Sequence, residues 1–280
     1  MEIKKAVITA AGVDQQSLPL QTFVDRDGVT KSALRILVEE TLAAGVESVA
    51  VVIRPGAETA FRLAAGEHAN RLHFVIQAEP RGYGHAVAQA RQFTGNEPFL
   101  LLVSDHLYVS RETRSCAQQL VGVAAAENCA VSAVQATHER KLPYYGVVGG
   151  TREPRGTGLY KVETVVEKPT PTVAEQELVV PGLRAGHYLC FFGMHVLTAA
   201  VMDFLEGQVS RSPHVRVPLS PALAMLALRE RYLAFEVHGR RHDIGVKYGL
   251  FMAQLALALE GERRDEVLSQ MIELIAGRVR

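Results

Sequence analysis

The 280-residue sequence contains no tryptophan and only three cysteines, Cys116, Cys129 and Cys190. The cysteines lie far apart and form no C-x-x-C pair, which argues against a disulfide framework or a zinc knuckle. Thirty basic and thirty acidic residues cancel, and no segment gathers a run of like charges, so the sequence predicts no nucleic-acid or anionic-lipid partner. We expect a protein of the reducing cytoplasm that holds any anionic ligand locally.

Long apolar runs are missing as well. The N-terminal MEIKK has the charges of a signal peptide, but the apolar stretch after it is short and ends near Gly12. No later run approaches the length of a membrane span. We therefore predict neither export nor a membrane segment. The hydrophobic content of 48% is enough to form a substantial core in one large domain.

Signatures of several enzyme classes are absent. The sequence has no H-E-x-x-H metalloprotease motif, no G-x-S-x-G nucleophile elbow and no P-loop. The turn Ala10-Ala11-Gly12 lacks the G-x-G-x-x-G pattern of a dinucleotide-binding oxidoreductase, which disfavours that class.

Short apolar runs alternate with amphipathic windows in the first half of the chain. This succession predicts βαβ crossovers and a mainly parallel sheet flanked by helices, with ligands beyond the carboxyl ends of the strands. The predicted strands cover residues 6–10, 49–53, 73–76, 99–103 and 130–134. The predicted helices cover residues 32–44, with Ser32 as N-cap and Gly45 after the end, then 84–93 and 110–127.

The texture changes from about residue 145. Apolar runs at 145–149, 159–166 and 187–192 are separated by loops rich in glycine and proline, which predicts an additional β-rich layer facing the first half. Helices are predicted again over 196–206, 220–229, 246–260 and 265–278. The last two carry an apolar stripe that is either core or a dimer seam, and core is the safer interpretation.

The segment QAEPRGYGHA, residues 77–86, combines a glutamine at a strand end with two glycines. The amide of Gln77 donates and accepts at once, which suits the edge of a nucleobase, and glycine lets backbone approach a ring or a phosphate. The alternative is an ordinary turn between a strand and a helix with a capping glycine, and for this segment alone that alternative is favoured.

Seven segments change that balance. KKAVITAAG, VEETLAAGVESVAVV, QAEPRGYGHAVAQAR, PFLLLVSD, YYGVV, LYKVETVVEKP and YLAFEVHGRRHDIGVKYG occur in this order and span residues 4–249. Together they resemble the bacterial UTP-glucose-1-phosphate uridylyltransferases and the wider family of sugar-1-phosphate nucleotidyltransferases. The resemblance implies an α/β, Rossmann-like nucleotidyltransferase fold as a single domain over 1–280. Its nucleotide-binding half would cover 1–140, its sugar-phosphate-binding half 141–245, and its C-terminal helices 246–280.

The resemblance also implies the site. Asp105 and Asp243 would bind Mg²⁺, which needs only one or two protein carboxylates when phosphates complete its shell. The implied catalytic residues are these two acids and Lys168. The implied nucleotide-binding residues are Ala10, Ala11, Gly12, Gln77, Pro80 and Gly82, and the implied sugar-phosphate-binding residues are Tyr145, Gly146, Glu167, Lys168 and Lys247. Without the resemblance, each acid would be interpreted as a cap or a surface acid, and each lysine as solvent-exposed.

One departure stands against full activity. Family members carry a Gly-x-Gly-Thr-Arg loop after the first strand and a lysine a few residues later, whereas here Asp14 replaces the second glycine and a glutamine the arginine. Losing a preorganised donor to transition-state charge costs on the order of 100- to 1,000-fold in turnover. Arg81, Arg26 or Lys31 could compensate, and the Gly12 loop could offer backbone N–H groups to an anion.

Two functions therefore remain. The first is Mg²⁺-dependent transfer of a nucleotidyl group from a nucleoside triphosphate, UTP favoured, to a sugar 1-phosphate, glucose 1-phosphate favoured. The second is an impaired relative that binds nucleotides or nucleotide sugars in a regulatory role. The expected partners are these small molecules, without nucleic acid or membrane, and a homo-oligomer is an open option.

Overall fold

The computed structural model describes residues 1–12, 16–154, 156–211 and 214–277. Within these residues the chain forms the following strands, in order: β1 (Lys5–Thr9), β2 (Thr22–Val24), β3 (Thr30–Ser32), β4 (Ser48–Ile53), β5 (Leu72–Ile76), β6 (Phe99–Val103), β7 (His106–Ser110), β8 (Ala130–His138), β9 (Gly146–Arg152), β10 (Leu159–Glu167), β11 (His187–Leu197), β12 (Tyr232–Glu236) and β13 (Gly239–Asp243).

The helices of the same residues flank these strands. They are α1 (Ala33–Ala43), α2 (Glu58–Ala65), α3 (Tyr83–Gln89), α4 (Arg91–Thr94), α5 (Cys116–Glu127), α6 (Pro171–Glu177), α7 (Ala199–Arg211), α8 (Ser220–Arg229), α9 (Gly249–Leu259) and α10 (Arg264–Ala276). Short 3₁₀ turns cover Leu18–Leu20, Gly66–Arg71 and Glu139–Tyr144.

A nine-stranded sheet forms the centre, in the order β5-β4-β1-β6-β11-β8-β12-β10-β9. Its first four strands are all parallel. They are the continuous apolar runs of the sequence, and residues such as Val51, Ile53 and Leu101 are fully buried. Runs of this kind suit strands covered by helices on both faces. The α/β fold class predicted from the sequence is confirmed.

The second half of the sheet differs from the first. β11 runs antiparallel to β6 and β8, β12 runs parallel to β8, and β10 runs antiparallel to β12 and β9. The β-rich segment that the sequence assigned to an additional layer thus extends the same sheet, where β9 also pairs with β11.

The sequence did not predict a two-stranded sheet that lies outside the main sheet. The sequence predicted a helix over 110–127, but residues 106–110 form β7, and α5 begins only at Cys116. Ser115 caps α5 through a capping box with Gln118, which fixes the helix start. β7 pairs antiparallel with β13. All five residues of β7 are buried, so tertiary packing accounts for this strand.

The ends of α1 follow the predicted signals, but the helix predicted over 196–206 is shifted, because β11 continues to Leu197 and α7 covers Ala199–Arg211. The Ser32 hydroxyl accepts from the Arg35 N–H and caps α1, and Gly45 follows the helix with a φ of +92°.

The apolar stripe of the C-terminal helices is only partly core. On α9, Ala253 and Leu257 are buried, whereas Leu250 and, on α10, Leu274 are exposed. The three cysteines are buried and free. None of the helices in the described ranges has the length and apolarity to cross a membrane.

Candidate active site

The carboxyl ends of β1 and β6 lie side by side and define one wall of the candidate site. Ala10 and Ala11, directly after β1, are buried, and the Ala10 N–H donates to the Val52 carbonyl at 2.8 Å. Gly12 is exposed. This turn therefore presents backbone to the space above the parallel strands, where α/β folds bind ligands.

Two acids meet beside this turn. Asp105 lies between β6 and β7, and Asp243 ends β13, which pairs with β7 so that Asp243 lies opposite His106. The Ile244 N–H donates to the Asp105 carbonyl at 2.8 Å and extends the pairing to the acids themselves. Ligand atoms of Asp105, His106 and Asp243 all lie within 4.8 Å of one another. We call Asp105 and Asp243 the acid pair.

The imidazole of His106 supports the acid pair. Its Nδ1 lies 2.7 Å from Oδ1 of Asp105, and because an ionised carboxylate can only accept, Nδ1 carries the proton. The Gly245 N–H donates to Oδ1 of Asp243 at 2.9 Å. These hydrogen bonds hold both carboxylates in place. Gly245 also lies next to Leu18, which brings the end of β13 close to the segment after the first loop.

The donor set of the acid pair fits Mg²⁺. Magnesium prefers hard oxygen ligands and is held in nucleotide sites by one or two carboxylates, with phosphates and water completing six positions. Two carboxylates within ligand distance of each other, half-buried at a strand edge, match this requirement. The neighbouring His106 nitrogen engaged with Asp105 makes an all-nitrogen zinc site a poorer fit.

In the turn after β5, the side chain of Gln77 lies inside the protein. Gln77 is 3% exposed, and its Nε2 lies 2.7 Å from Nδ1 of His85 and 3.4 Å from the Gly82 carbonyl. The amide NH₂ of Gln77 is thus used inside the protein. Pro80, by contrast, is exposed.

The two glycines of this turn meet protein backbone. A Cβ at Gly82 would lie 2.9 Å from the Val217 carbonyl oxygen, and one at Gly84 would lie 2.5 Å from the Pro218 carbonyl oxygen. The Val217 N–H also donates to the Arg81 carbonyl at 2.7 Å. Close packing against the segment at 217–218 therefore explains both glycines, and Gly82 has in addition a φ of +104° that favours glycine.

The opposite wall consists of the start of β9 and the end of β10. Gly146 and Glu167 are register partners, and a Cβ at Gly146 would collide with the Phe191 ring at 2.7 Å and lie 3.1 Å from Oε2 of Glu167. The hydroxyl of Ser220, at the start of α8, donates to the same Oε2. A side chain at position 146 would therefore displace the Phe191 ring or the Glu167 carboxylate, which now lies beside the Gly146 backbone.

Lys168 follows in an uncommon backbone conformation. Its φ is +49°, and its N–H donates to the Tyr145 carbonyl at 3.1 Å. Among the described residues the other non-glycine positions with positive φ are Asn128, a helix C-cap, and Tyr248, next to Lys247. Strain of this kind concentrates at functional sites. Lys168 and Lys247 are both exposed, and Lys247 lies 5.5 Å from the Tyr248 ring centroid.

Two residues of this crevice escaped sequence reasoning. Arg241 shares one face of β13 with Asp243, and its guanidinium lies 3.8 Å from the Tyr145 ring centroid while donating to the Phe191 carbonyl. It thereby joins the acid pair to the opposite wall. The signal was available, because alternate residues of a strand face the same side.

Tyr83 was the second omission. Its hydroxyl is buried and has no hydrogen-bond partner among the described residues. Burial raises the pKa of this hydroxyl, and the nearby carboxylates of Asp105 and Glu167 raise it further, so the phenol stays protonated. A buried donor between the two walls of the crevice is available to a ligand.

The candidate replacement cations are placed as follows. Lys31 is 6% exposed and lies within 2.8 Å of carboxylate oxygens of Asp25, Asp27 and Glu39. We call these four residues the Lys31 cluster. Burial opposes the charge of Lys31, but its hydrogen bonds outweigh burial and raise its pKa. Lys31 is thus fully engaged in the cluster, which argues against its reaching a phosphate.

Arg26 lies half-buried beside the Lys31 cluster, where its N–H donates to Asp25. Arg81 is half-buried in the turn that packs against Val217. The loop residues Val13, Asp14 and Gln15 lie outside the described residues, whereas Gln16, the glutamine at the arginine position of the Gly-x-Gly-Thr-Arg loop, lies within them.

Known proteins share the sequence pattern and the fold of this chain. A family model described as nucleotidyl transferase matches residues 23–258. A UTP–glucose-1-phosphate uridylyltransferase 1 of Streptococcus pyogenes serotype M3 is 31% identical, over 97% of this chain and 94% of the relative. The structure resembles a UDP-glucose pyrophosphorylase from Acinetobacter baumannii, with a TM-score of 0.73, 25% identity and coverage of 98% and 100% of the two chains. A UDP-glucose pyrophosphorylase complexed with UDP-glucose shares the fold, with a TM-score of 0.73, 24% identity and coverage of 91% and 98%.

Proposed function

The chain belongs to the nucleotidyl transferase family, among the sugar-1-phosphate nucleotidyltransferases, and from this premise we propose that it transfers a uridylyl group from UTP to glucose 1-phosphate. The products are UDP-glucose and pyrophosphate. The observation that carries the proposal is the meeting of Asp105 and Asp243 at the carboxyl edge of the parallel strands, opposite Gly146, Glu167 and Lys168. The names of the relatives support UTP and glucose 1-phosphate as the substrates.

The residues divide the work of the reaction. The acid pair holds Mg²⁺, which when bound neutralises phosphate charge and polarises the α-phosphate. Glu167 accepts hydrogen bonds from sugar hydroxyls, and the backbone at Gly146 lies against the sugar. Lys168 contributes a positive charge next to the sugar phosphate. An oxygen of this phosphate attacks the α-phosphorus of UTP while pyrophosphate leaves. Positioning and charge neutralisation are the main contributions of protein in such transfers.

On the nucleotide side, Ala10, Ala11 and Gly12 offer backbone, and Pro80 and Gly82 shape the turn against which the base lies. The NH₂ group of Gln77 contacts His85 within this turn. We therefore assign the contact with the nucleobase to the amide oxygen of Gln77. Lys247, exposed in the turn before α9, is assigned with Lys168 to the sugar phosphate.

A second candidate function follows from the first loop. With Asp14 and a glutamine replacing a glycine and an arginine, and with Lys31 held by three carboxylates, the chain has fewer cations for the leaving pyrophosphate than its relatives. A protein with intact sugar and base pockets but no transfer would bind UDP-glucose as a sensor or regulator.

A pyrophosphate-release assay with Mg²⁺, UTP and glucose 1-phosphate separates the two. Transfer predicts release that falls steeply in Asp105→Asn and is unchanged in Asp265→Asn, an exposed acid in the first turn of α10. Absence of release with UTP, dTTP, ATP, CTP and GTP, together with calorimetric binding of UDP-glucose, supports the second candidate. Absence of both release and binding contradicts both.

A further inference from the structure

A cavity lies apart from the acid pair. It has a volume of about 670 Å³ and lies between the far end of the β7–β13 pair and the far end of the β9–β10 pair. Its lining includes Arg111, Gln135, Arg152, Tyr160, Glu236 and Arg240. None of these residues belongs to the proposed transfer site. We call it the arginine cavity.

Three guanidinium groups surround this cavity. Arg111 follows β7, Arg240 lies in β13, and Arg152 ends β9. None of the three side chains makes an ion pair or a hydrogen bond with a described residue. Three unpaired arginines around one cavity provide planar donors suited to phosphate.

Two acids also line the cavity, and both contact other residues of the lining. Glu112 lies 2.8 Å from Nδ1 of His238, and Glu236 accepts from the Tyr160 hydroxyl at 3.5 Å. The three arginines outnumber these two acids, so the lining has an excess of positive charge. The cavity therefore attracts anions in a protein whose formal net charge is zero.

The floor carries an unmet acceptor. Oε1 of Gln135, on β8, is buried and has no hydrogen-bond partner among the described residues. A buried acceptor without a donor carries an energetic cost. A ligand hydroxyl would remove that cost by donating to Gln135.

We propose that the arginine cavity binds an organic phosphate that carries hydroxyl groups, with the phosphate held by Arg111, Arg152 and Arg240 and a hydroxyl donating to Gln135. The size of the cavity suits a small phosphorylated metabolite. This site is additional to the transfer site and does not depend on the proposed function.

The test uses isothermal titration calorimetry of the full chain with glycerol 3-phosphate and with methyl phosphate, which lacks hydroxyls. The double variant Arg111→Gln/Arg240→Gln is expected to weaken binding of glycerol 3-phosphate by about 100-fold, because two charge-assisted contacts are lost. The matched control Arg263→Gln/Arg264→Gln removes the same charge from the start of α10 and is expected to bind as the wild type does.

Gln135→Met tests the hydroxyl contact. It should lower the preference for glycerol 3-phosphate over methyl phosphate by about tenfold and leave methyl phosphate binding unchanged. Equal preference in the variant and the wild type would overturn this contact.

Three results would overturn the proposal as a whole. They are no measurable binding to the wild type, equal binding to wild type and Arg111→Gln/Arg240→Gln, and loss of binding in Lys168→Gln with retention in that double variant, which would assign the ligand to the transfer site. Self-association that is lost in the double variant, measured by sedimentation without phosphate, would instead make the cavity a protein contact and also overturn the proposal. Because no turnover is measured, failure here is distinct from failure of the transferase proposal.

Discussion

The molecule contains two clusters of carboxylates that look alike in composition and differ in how their charge is balanced. In the Lys31 cluster, three acids surround a buried ammonium group at 2.6 to 2.8 Å. In the acid pair, two carboxylates come within ligand distance of each other and of His106, which contacts one of them. In the first cluster the chain itself provides the cation. In the second we propose that Mg²⁺ provides it.

The difference shows how acids can be assigned to structure or to chemistry. An ammonium group fixed by three carboxylates holds β2, β3 and α1 together and is satisfied before any ligand arrives. Two like charges held together by a strand pairing repel each other until a cation binds, so they cost stability in the free protein. The four predictions below test this contrast.

The largest expected effect is on turnover of the acid pair. Replacing both acids, Asp105→Asn/Asp243→Asn, should lower pyrophosphate release by about 1,000-fold or more, because the metal that neutralises the transferring phosphate is lost. In metal-free buffer the variant should unfold at the same temperature as the wild type or higher, since a like-charge contact is removed. Unchanged turnover would show that the acid pair does not hold the catalytic metal.

The next effect is on stability of the Lys31 cluster. Lys31→Met should lower the free energy of unfolding by about 3 kcal/mol, because three carboxylates lose their shared cation in a partly buried place. Denaturant unfolding measures this loss of stability. Lys161→Met is the control, because Lys161 is 57% exposed and its ion pair with Glu163 is long, at 3.9 Å. An effect equal to that of the control would mean that the cluster is not structural.

The stability difference between wild type and Lys31→Met should also depend on pH. Burial raises the pKa of Glu39, but hydrogen bonds from Arg35 and Lys31 outweigh burial and hold this pKa below its ordinary value of 4.5. Burial likewise raises the pKa of Asp27, but hydrogen bonds from Lys31 and the Val29 N–H hold it below 3.8. Groups with lowered folded pKa values stabilise above their ordinary pKa and lose that contribution as pH falls through the folded value. Thermal unfolding at a series of pH values should therefore show the difference shrinking as pH falls below 4.5; a difference that grows in acid would contradict it.

The smallest effect concerns the edge of the same cluster. Asp27→Asn should change the free energy of unfolding by only about 0.5 kcal/mol, because its side chain is 48% exposed and solvent screens its charge. Denaturant unfolding beside Lys31→Met measures the ratio of the two. Equal losses would mean that Lys31 depends on this single partner and not on the whole cluster.

Much of the fold could be predicted from local patterns. The β6 run Phe99–Val103 was predicted at its observed bounds, and so was α8 over Ser220–Arg229. Fully buried apolar runs, a serine cap and a glycine after the helix are local signals, because strand burial and helix capping depend on neighbours a few residues away. The pairing of β7 with β13 has no such signal, since its partners lie more than 100 residues apart.

The site shows the same division. The sequence predicted Asp105 and Asp243 as partners only through a resemblance, and it suggested ligand contact for Gln77 and Gly82. The structure turns the Gln77 NH₂ inward to His85 and fits Gly82 against the Val217 backbone. The contact of Gly82 could not be anticipated, because Val217 is distant in the chain, whereas His85 lies only eight residues after Gln77.

The sequence by itself determined the α/β class, the apolar strands of the parallel half, and the identity of the acids available to a metal, since these depend on composition, periodicity and residue type. Only the tertiary structure decided that β7 and β13 bring two of those acids together, that Lys31 contacts three others, and that three arginines around one cavity have no ion-pair partner among the described residues. The physical reason is that a carboxylate or a guanidinium takes its role from the charges and donors within a few ångströms, and those neighbours come from remote parts of the chain.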